Sequence, residues 1–309
     1  MKLGFIGTGK IASSVITGIC GSSIKYSKIS ISSRNSKIAK GLKKRFKKIS
    51  IEKDNQKIVD NSNWVFLAVT PTVGKKIIKS LKFRSSQTVV SFISTITIPK
   101  LKKMIGVKSD IVRAIPLPPI SLKKGPVPIC PPNRKVKNFF DKIGSTVEIK
   151  NEKLSINFWS TSGMMASYYE MLKVMSDWLV KRGIKRLDAQ KYITTLFLAL
   201  SEDAVVNSKK ELKHLVKDSQ TPKGLNEQGL KEMSKKGVKR SDAQKYITTL
   251  FLALSEDAVI NSKKELKYLV KESQTPKGLN EQGLKEMSKK GVYKSVINTL
   301  NSIHKRLNK

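Results

Sequence analysis

Short apolar runs alternate with helical stretches through the first half of the chain. The run at residues 2–6 and a later one at residues 64–69 have the length and continuity of strands buried on both faces of a sheet. Residues 10–20 and 36–48 instead place apolar side chains three or four positions apart, as one face of a helix requires. This alternation predicts a parallel, doubly wound α/β sheet.

Other runs extend the predicted sheet. Further strands are predicted at residues 28–32, 49–51, 88–93, 111–115 and 146–149. Residues 116–132 contain seven prolines, which we interpret as a rigid loop outside helix and interior sheet, because proline lacks the N–H that both need. From about residue 151 the spacing is helical throughout. We therefore predict a sheet domain over residues 1–150 and an all-α domain over residues 151–309.

The helical half of the chain repeats itself. Residues 185–238, copy one, are followed at an offset of 54 by residues 239–292, copy two. The copies differ at four positions, which are Leu187/Ser241, Val206/Ile260, His214/Tyr268 and Asp218/Glu272. Near-identity over this length indicates a recent tandem duplication rather than an old repeat architecture.

Each copy predicts three helices. Ile193, Phe197 and Leu200 lie on the apolar stripe of the first helix in copy one, and a single helix over residues 162–181 is predicted before it. A Ser-Lys-Lys-Glu capping box opens the second helix at residue 208 or 262. For the third, a Thr-Pro pair at residues 221–222 or 275–276 predicts an N-cap and a first-turn proline.

The first candidate binding site in the sequence is the turn after the first strand. A first glycine makes such a turn, a second lets the backbone approach a diphosphate, and a small third residue lets the helix pack on the strand. Free N–H groups at the helix N-terminus then hold the diphosphate. We predict that Gly7, Thr8, Gly9, Lys10, Ile11 and Ala12 bind a dinucleotide. Residues 1–150 would then be a Rossmann-type NAD(P)-binding domain.

The residues after two later strands refine this prediction. Ser33, Arg34 and Asn35 follow the second strand, where an acidic residue would bind the ribose hydroxyl of NAD. An arginine with small polar neighbours suits a 2′-phosphate, so the sequence favours NADP, with NAD as the alternative. Thr70, Pro71 and Thr72 follow the apolar run of residues 64–69, lie at the same predicted edge and are further candidates for cofactor contact.

The charge, the cysteines and the apolar runs limit which binding partners the sequence supports. The net charge is +38, but the lysines are scattered, and the densest cluster, residues 43–48, also fits the solvated face of a helix. We therefore expect no nucleic-acid partner. Cys20 and Cys130 show no CxxC spacing, which indicates neither a disulfide framework nor a metal site and fits a cytoplasmic protein. No apolar run is long enough to span a membrane.

Five segments, in order, match one known family. They read GFIGTGKIA, FLAVTP, VVSFISTITIPKL, VRAIPLPP and TPKGLNEQG. In these motifs the chain resembles pyrroline-5-carboxylate reductase. The resemblance implies an NAD(P)-binding domain followed by a helical domain that interlocks with a partner subunit. It also implies that Ala68, Val69, Thr70 and Pro71 lie beside the cofactor. The activity it implies is reduction of the cyclic imine pyrroline-5-carboxylate to proline.

The motif to which the resemblance assigns substrate binding occurs twice, once in each copy. The implied substrate-binding residues are Thr221, Lys223, Gly224 and Asn226 in copy one and Thr275, Lys277, Gly278 and Asn280 in copy two. N–H groups at the start of a helix can hold a carboxylate there, and the lysine adds a cation. The sequence departs from the family at Leu117, where the family has asparagine, and at Leu225, where it has a substrate-contacting threonine.

Two questions remain open at the level of sequence. The leading function is an NADP-dependent imine reductase of proline synthesis. The alternatives are a reductase of another imino or keto acid, and a non-catalytic dinucleotide-binding protein. Likewise, the duplication allows an ordinary homo-oligomer or a pseudo-dimer within one chain, because identical apolar faces compete for one docking surface. It also allows a spare copy that hangs loosely and reduces activity.

Overall fold

A computed structural model describes residues 1–207, 212–220, 224–234, 244–261, 265–274 and 278–307. The chain divides into two compact units, Met1–Trp159 and Ser160–Lys309. The first unit is built on a sheet, whereas the described residues of the second are helical apart from short connections.

The first unit, all of which is described, contains one eight-stranded sheet. Its strands are β1 Lys2–Ile6, β2 Lys28–Ser32, β3 Ile49–Glu52, β4 Trp64–Leu67, β5 Thr88–Ser91, β6 Asp110–Ala114, β7 Pro126–Cys130 and β8 Ser145–Glu148. Their order is β3-β2-β1-β4-β5-β6-β7-β8, and every neighbouring pair is parallel except β6 and β7. The predicted doubly wound α/β sheet is confirmed.

Helices cover both faces of this sheet. They are α1 Lys10–Cys20, α2 Ser36–Arg45, α3 Asn55–Asp60, α4 Pro71–Ser80, α5 Ile98–Ile105 and α6 Arg134–Phe140. Apolar side chains of α1, α2 and α6 form one core, in which Phe5 stacks on Phe66 with ring centroids 4.4 Å apart. Those of α3, α4 and α5 form the other. Burial on both faces explains why the central strands are apolar without alternation.

The proline-rich stretch contains a strand, so our prediction of a loop there was wrong. Pro126–Cys130 forms β7, which lies between β6 and β8, and Pro118–Leu122 forms a 3-10 helix before it. The Ile115 N–H donates to the Pro128 carbonyl at 3.2 Å, but Pro128 has no N–H to return. Pairing with β6 is therefore limited to two residue pairs. Prolines are tolerated because the ladder on that side of β7 is short.

Helices continue from the end of the sheet through the second unit. They are α7 Ser155–Ser162, α8 Met165–Val180, α9 Arg186–Val206, α10 Leu212–Asp218, α11 Leu225–Ser234, α12 Gln244–Ile260, α13 Leu266–Ser273, α14 Leu279–Lys289 and α15 Val292–Leu307. The helix predicted over residues 162–181 is present as α8, which begins three residues later because the chain breaks from helix at Gly163, where α14 approaches. Copy one forms α9 to α11 and copy two forms α12 to α14. The helix α8 packs against α9, α12, α13, α14 and α15.

Candidate functional site

Three strand ends meet at one edge of the sheet. β1 lies between β2 and β4, and both pairings are parallel, so the carboxyl ends of the three strands are adjacent. The strand order runs from β1 to β2 in one direction and to β4 in the other. Open α/β sheets bind ligands at such a reversal, outside the carboxyl ends of the strands. The residues predicted to bind a cofactor follow these three strands.

The turn between β1 and α1 needs glycine at its first position. Gly7 has φ of 101°, and a Cβ there would lie 2.4 Å from the carbonyl oxygen of Ala68 at the end of β4. Gly9 is the N-cap of α1, and a Cβ there would meet nothing within 4 Å. Ala12 is fully buried. The first turn of α1 carries no acidic side chain, so its N-terminus is open to an anion.

Thr8 has a structural role that the sequence did not indicate. Its side chain is buried, and its hydroxyl donates to the Ser32 carbonyl at 2.6 Å. The Gly7 N–H donates to the Ser32 hydroxyl at 2.9 Å. These bonds fix the glycine turn to the end of β2, so any cofactor contact of Thr8 would come from its backbone.

The end of β2 presents a cation to solvent. Ser33 is half-buried and Arg34 is exposed, while the Asn35 side chain caps α2 by accepting from the Ile38 N–H at 3.3 Å. The carboxylate of Glu52, at the end of the neighbouring strand β3, lies 3.7 Å from the Lys28 ammonium. The exposed guanidinium of Arg34 suits a phosphate group.

The end of β4 completes this edge. Ala68 and Val69 are half-buried, Thr70 is the exposed N-cap of α4, and Pro71 is its first residue. The Ala68 N–H donates to the Ile6 carbonyl at 2.8 Å, which continues the β1–β4 ladder to the glycine turn. The structure thus brings together the three groups of cofactor residues that the sequence predicted.

A buried ion pair near the ends of β5 and β6 was missed by sequence reasoning. Arg113, only 2% exposed, contacts the carboxylate of Glu152 and the carbonyl of Ser94. Its guanidinium lies 4.2 Å from the ring centroid of Trp159. The Glu152 carboxylate also accepts from the Ile98 N–H at 2.9 Å. An arginine inside the apolar run of residues 111–115 was the available signal.

The substrate-side residues are described only in part. Thr221, Lys223, Thr275 and Lys277 lie outside the described residues. The helices after them begin at Leu225 and Leu279, and Gly278 is the N-cap of α14. Our placement of the N-caps at Thr221 and Thr275 was therefore wrong by several residues. The N–H groups that could hold a carboxylate belong to the residues around Gly278 and, in copy one, Gly224.

Neither a membrane-spanning helix nor a cluster of metal-ligand side chains occurs among the described residues. No helix among them is both long and apolar enough to cross a membrane. Within the same part of the chain, no group of three or more histidine, cysteine or acidic residues could hold a metal ion.

Comparison with known families accounts for both halves of the chain. Residues 2–95 match a model described as NADP oxidoreductase, coenzyme F420-dependent. The model for pyrroline-5-carboxylate reductase dimerisation matches twice, over residues 155–241 and 233–309. The chain belongs to the pyrroline-5-carboxylate reductase family. It is thus a member of a family of NAD(P)H-dependent oxidoreductases, as the resemblance implied.

Individual relatives agree with this assignment. Pyrroline-5-carboxylate reductase 3 of Xenopus laevis is 23% identical over 249 residues, covering 77% of this chain and 90% of the relative. The reductase structure from Streptococcus pyogenes has a TM-score of 0.66 at 21% identity, covering 88% of this chain and 98% of that one. A Plasmodium falciparum pyrroline carboxylate reductase with NADP bound has a TM-score of 0.66 at 23% identity, covering 85% and 97%. These structures share the fold.

Proposed function

We propose that this chain catalyses the NADP-dependent reduction of pyrroline-5-carboxylate to proline. The observation that carries the proposal is the turn after β1, where Gly7 requires a positive φ and Gly9 leaves the N-terminus of α1 open. A dinucleotide diphosphate fits such a turn. The exposed Arg34 at the end of β2 favours a 2′-phosphate, and the family's dimerisation domain follows in the chain.

The reaction requires little acid–base catalysis by the protein. NADPH, when bound, supplies a hydride, and an iminium carbon is already electrophilic enough to accept it. The ring nitrogen keeps its proton and becomes the amine of proline. The chain therefore needs to bind and orient both reactants, and we assign no catalytic acid or base. The N-terminus of α1 would hold the diphosphate, and a substrate-side helix N-terminus would hold the carboxylate.

Two substitutions favour a different substrate. Leu117 stands where the family has asparagine, and it is buried. Leu225 stands where the family has a threonine that contacts the substrate. Both changes remove a polar group, which would suit a reductase of another imino or keto acid. A chain that binds NADPH without turnover is the remaining alternative.

Oxidation of NADPH with pyrroline-5-carboxylate tests the proposal directly. We expect turnover with NADPH and a lower kcat/KM with NADH. Arg34→Ala should raise the KM for NADPH about tenfold, because a charge-assisted phosphate contact contributes roughly 1.5–3 kcal/mol. The KM for NADH should not change. Lys37→Ala removes an exposed cation a few residues away and serves as the control.

Each other result has a defined meaning. Turnover with a different imino or keto acid alone would favour the second reductase. Tight NADPH binding without turnover would favour the non-catalytic reading. Equal loss of NADPH affinity in the Arg34 and Lys37 variants would show that overall positive charge, rather than a contact to the 2′-phosphate, sets the cofactor preference.

We further propose that one chain forms a pseudo-dimer in its helical unit. The family's dimerisation domain supports homo-oligomers. Here, however, α9 and α12 pack on one another, and Ser201 lies 3.1 Å from its repeat equivalent Ser255. The ring of Tyr168 contacts both Phe197 and its equivalent Phe251. Equivalent residues that touch each other are the mark of two-fold packing, as between the subunits of a dimer.

A disulfide can test whether this contact is made within one chain. In a Cys20→Ser background, the double variant Ser201→Cys and Ser255→Cys should oxidise to an intrachain bond, because the two hydroxyls are 3.1 Å apart. The oxidised protein should then migrate as a 34.5 kDa monomer on a non-reducing gel. A covalent dimer formed by Ser201→Cys alone would contradict the pseudo-dimer, since it requires two copies of α9 from different chains to meet.

A further inference from the structure

A small polar cavity lies where α8, α9 and α13 meet. Its volume is about 160 Å³, and its lining includes Ser176 of α8, Arg186 and Gln190 of α9 and Leu266 of α13. The helix α9 belongs to copy one and α13 to copy two, so both copies contribute to its wall. The start of α13 lies at the cavity, whereas the substrate-side motif of copy two follows the other end of that helix.

A buried hydroxyl in the wall of this cavity lacks a partner. Ser176 is 1% exposed, and its hydroxyl makes no hydrogen bond to any described residue. Buried polar groups are almost always hydrogen-bonded, because the loss of water is otherwise not compensated. The Ser176 hydroxyl therefore indicates a polar ligand in the cavity.

Charged side chains of the wall leave donors in excess. The Arg186 guanidinium, which has five N–H groups, donates to the Asp177 carboxylate at 2.9 Å and makes no other hydrogen bond among the described residues. The Lys173 ammonium lies 3.3 Å from the same carboxylate. The Glu265 carboxylate is paired with the Lys267 ammonium at 2.5 Å. Because the carboxylates are already paired, the remaining donors match a ligand that accepts hydrogen bonds and carries negative charge.

Two helices begin at the cavity and add to this electrostatic preference. The helix α9 starts at Arg186 and α13 at Leu266. The Gln190 Oε1 accepts from the Leu266 N–H at 3.3 Å, which fixes the start of α13 to copy one. Helix N-termini carry partial positive charge and favour anions. The backbone and the side chains thus favour the same kind of ligand.

A larger cavity of about 440 Å³ adjoins the polar one. The two share Asp177 and Arg186 in their linings. The apolar part of the larger cavity includes Val174, Trp178 and Ile297. A ligand with a charged head and a short apolar chain can therefore place each part beside matching side chains.

We propose that these adjoining cavities bind a small monocarboxylate with a short apolar chain. Its carboxylate accepts from the Ser176 hydroxyl and the Arg186 guanidinium, and its chain lies against Trp178. A dianion such as phosphate fits less well, because it would be repelled by the nearby carboxylates of Asp177 and Glu265. The ligand contacts both copies within one chain. The site does not depend on the reaction that the chain catalyses.

Calorimetric titration with butanoate tests the proposal. We expect saturable binding at one site per chain, with a dissociation constant in the millimolar range for so small a ligand. Butanamide has the same apolar chain without the charge and should bind about tenfold more weakly or worse, because hydrogen bonds to a charged acceptor are stronger. Equal binding of the two compounds, or no saturable binding of butanoate, would overturn the proposal.

Variants of the wall show whether butanoate occupies this site. Ser176→Ala and Arg186→Gln should each weaken its binding about fivefold or more, whereas Lys191→Gln, which removes an exposed cation further along α9, should not. Thermal unfolding without ligand serves as the folding control. Ser176→Ala should not lower the Tm, because it removes a buried group without a partner. If both wall variants bind butanoate as the parent does, it occupies another site, such as the proposed substrate site, and the proposal is wrong.

Discussion

Glu152→Gln is expected to destabilise the first unit by about 3 kcal/mol, because it leaves the buried guanidinium of Arg113 without a counter-charge. Glutamine keeps the size and the acceptor for the Ile98 N–H, so the change isolates the charge. The value lies at the lower end of the usual range because the Glu152 side chain is 21% exposed. Urea unfolding should show a midpoint about 1 M lower.

The fluorescence signal can be confined to the first unit. In a Trp178→Phe background, the remaining tryptophans are Trp64 and Trp159, and Trp159 stacks on Arg113 itself. Glu52→Gln is the control, since Glu52 pairs with the half-exposed Lys28 and such surface pairs contribute less than about 1 kcal/mol. If Glu152→Gln unfolds at the same urea concentration as the control, the buried pair does not stabilise the unit.

Gly7→Ala is expected to reduce both stability and cofactor affinity. Alanine is strained at φ of 101°, and its Cβ would lie 2.4 Å from the Ala68 carbonyl oxygen. Backbone strain of this kind costs roughly 1–3 kcal/mol, and relief of the clash would separate β1 from the end of β4. We expect a Tm several degrees lower and an NADPH affinity at least tenfold weaker, measured by calorimetry.

Substitutions at two other glycines separate a loss of stability from a loss of contact with NADPH. Gly9→Ala should leave the Tm unchanged, because a Cβ there meets nothing within 4 Å, but should weaken NADPH binding if the diphosphate approaches that residue. Gly41→Ala lies inside α2 with open space around it and should raise stability by about 0.5–1 kcal/mol without affecting binding. Full NADPH affinity in the Gly7 and Gly9 variants would refute the proposed cofactor site.

The candidate cofactor edge was largely predictable from the sequence. Strand, glycine turn and helix are adjacent in the chain, so the arrangement of Gly7, Gly9 and Ala12 follows from local rules. Arg34 and Thr70 could be added because parallel strands bring their carboxyl ends to one edge. The role of Thr8 was not predictable, since its hydroxyl bonds to Ser32 on a strand that is distant in sequence.

The ion pair of Arg113 and Glu152, by contrast, could not be predicted from the sequence. The two residues are 39 positions apart, and Glu152 precedes the helical half in a stretch without a strong pattern. Similarly, the prolines of residues 126–128 argue against a strand by any local rule. A strand forms there because β8 pairs with the other side of β7. Pairing with a strand distant in sequence therefore outweighed the low strand propensity of these prolines.

The tandem repeat shows most clearly what the sequence determines and what only the tertiary structure determines. The sequence by itself determined that each copy forms helices with an apolar face, because spacing and composition are nearly the same in both. It could not determine which face is buried, since Leu200 and Leu254 occupy equivalent positions and differ only in surroundings. The tertiary structure decided this. Both α9 and α12 pack on α8, but Leu254 of α12 is buried whereas Leu200 of α9 is 55% exposed, because the two helices have different tertiary surroundings.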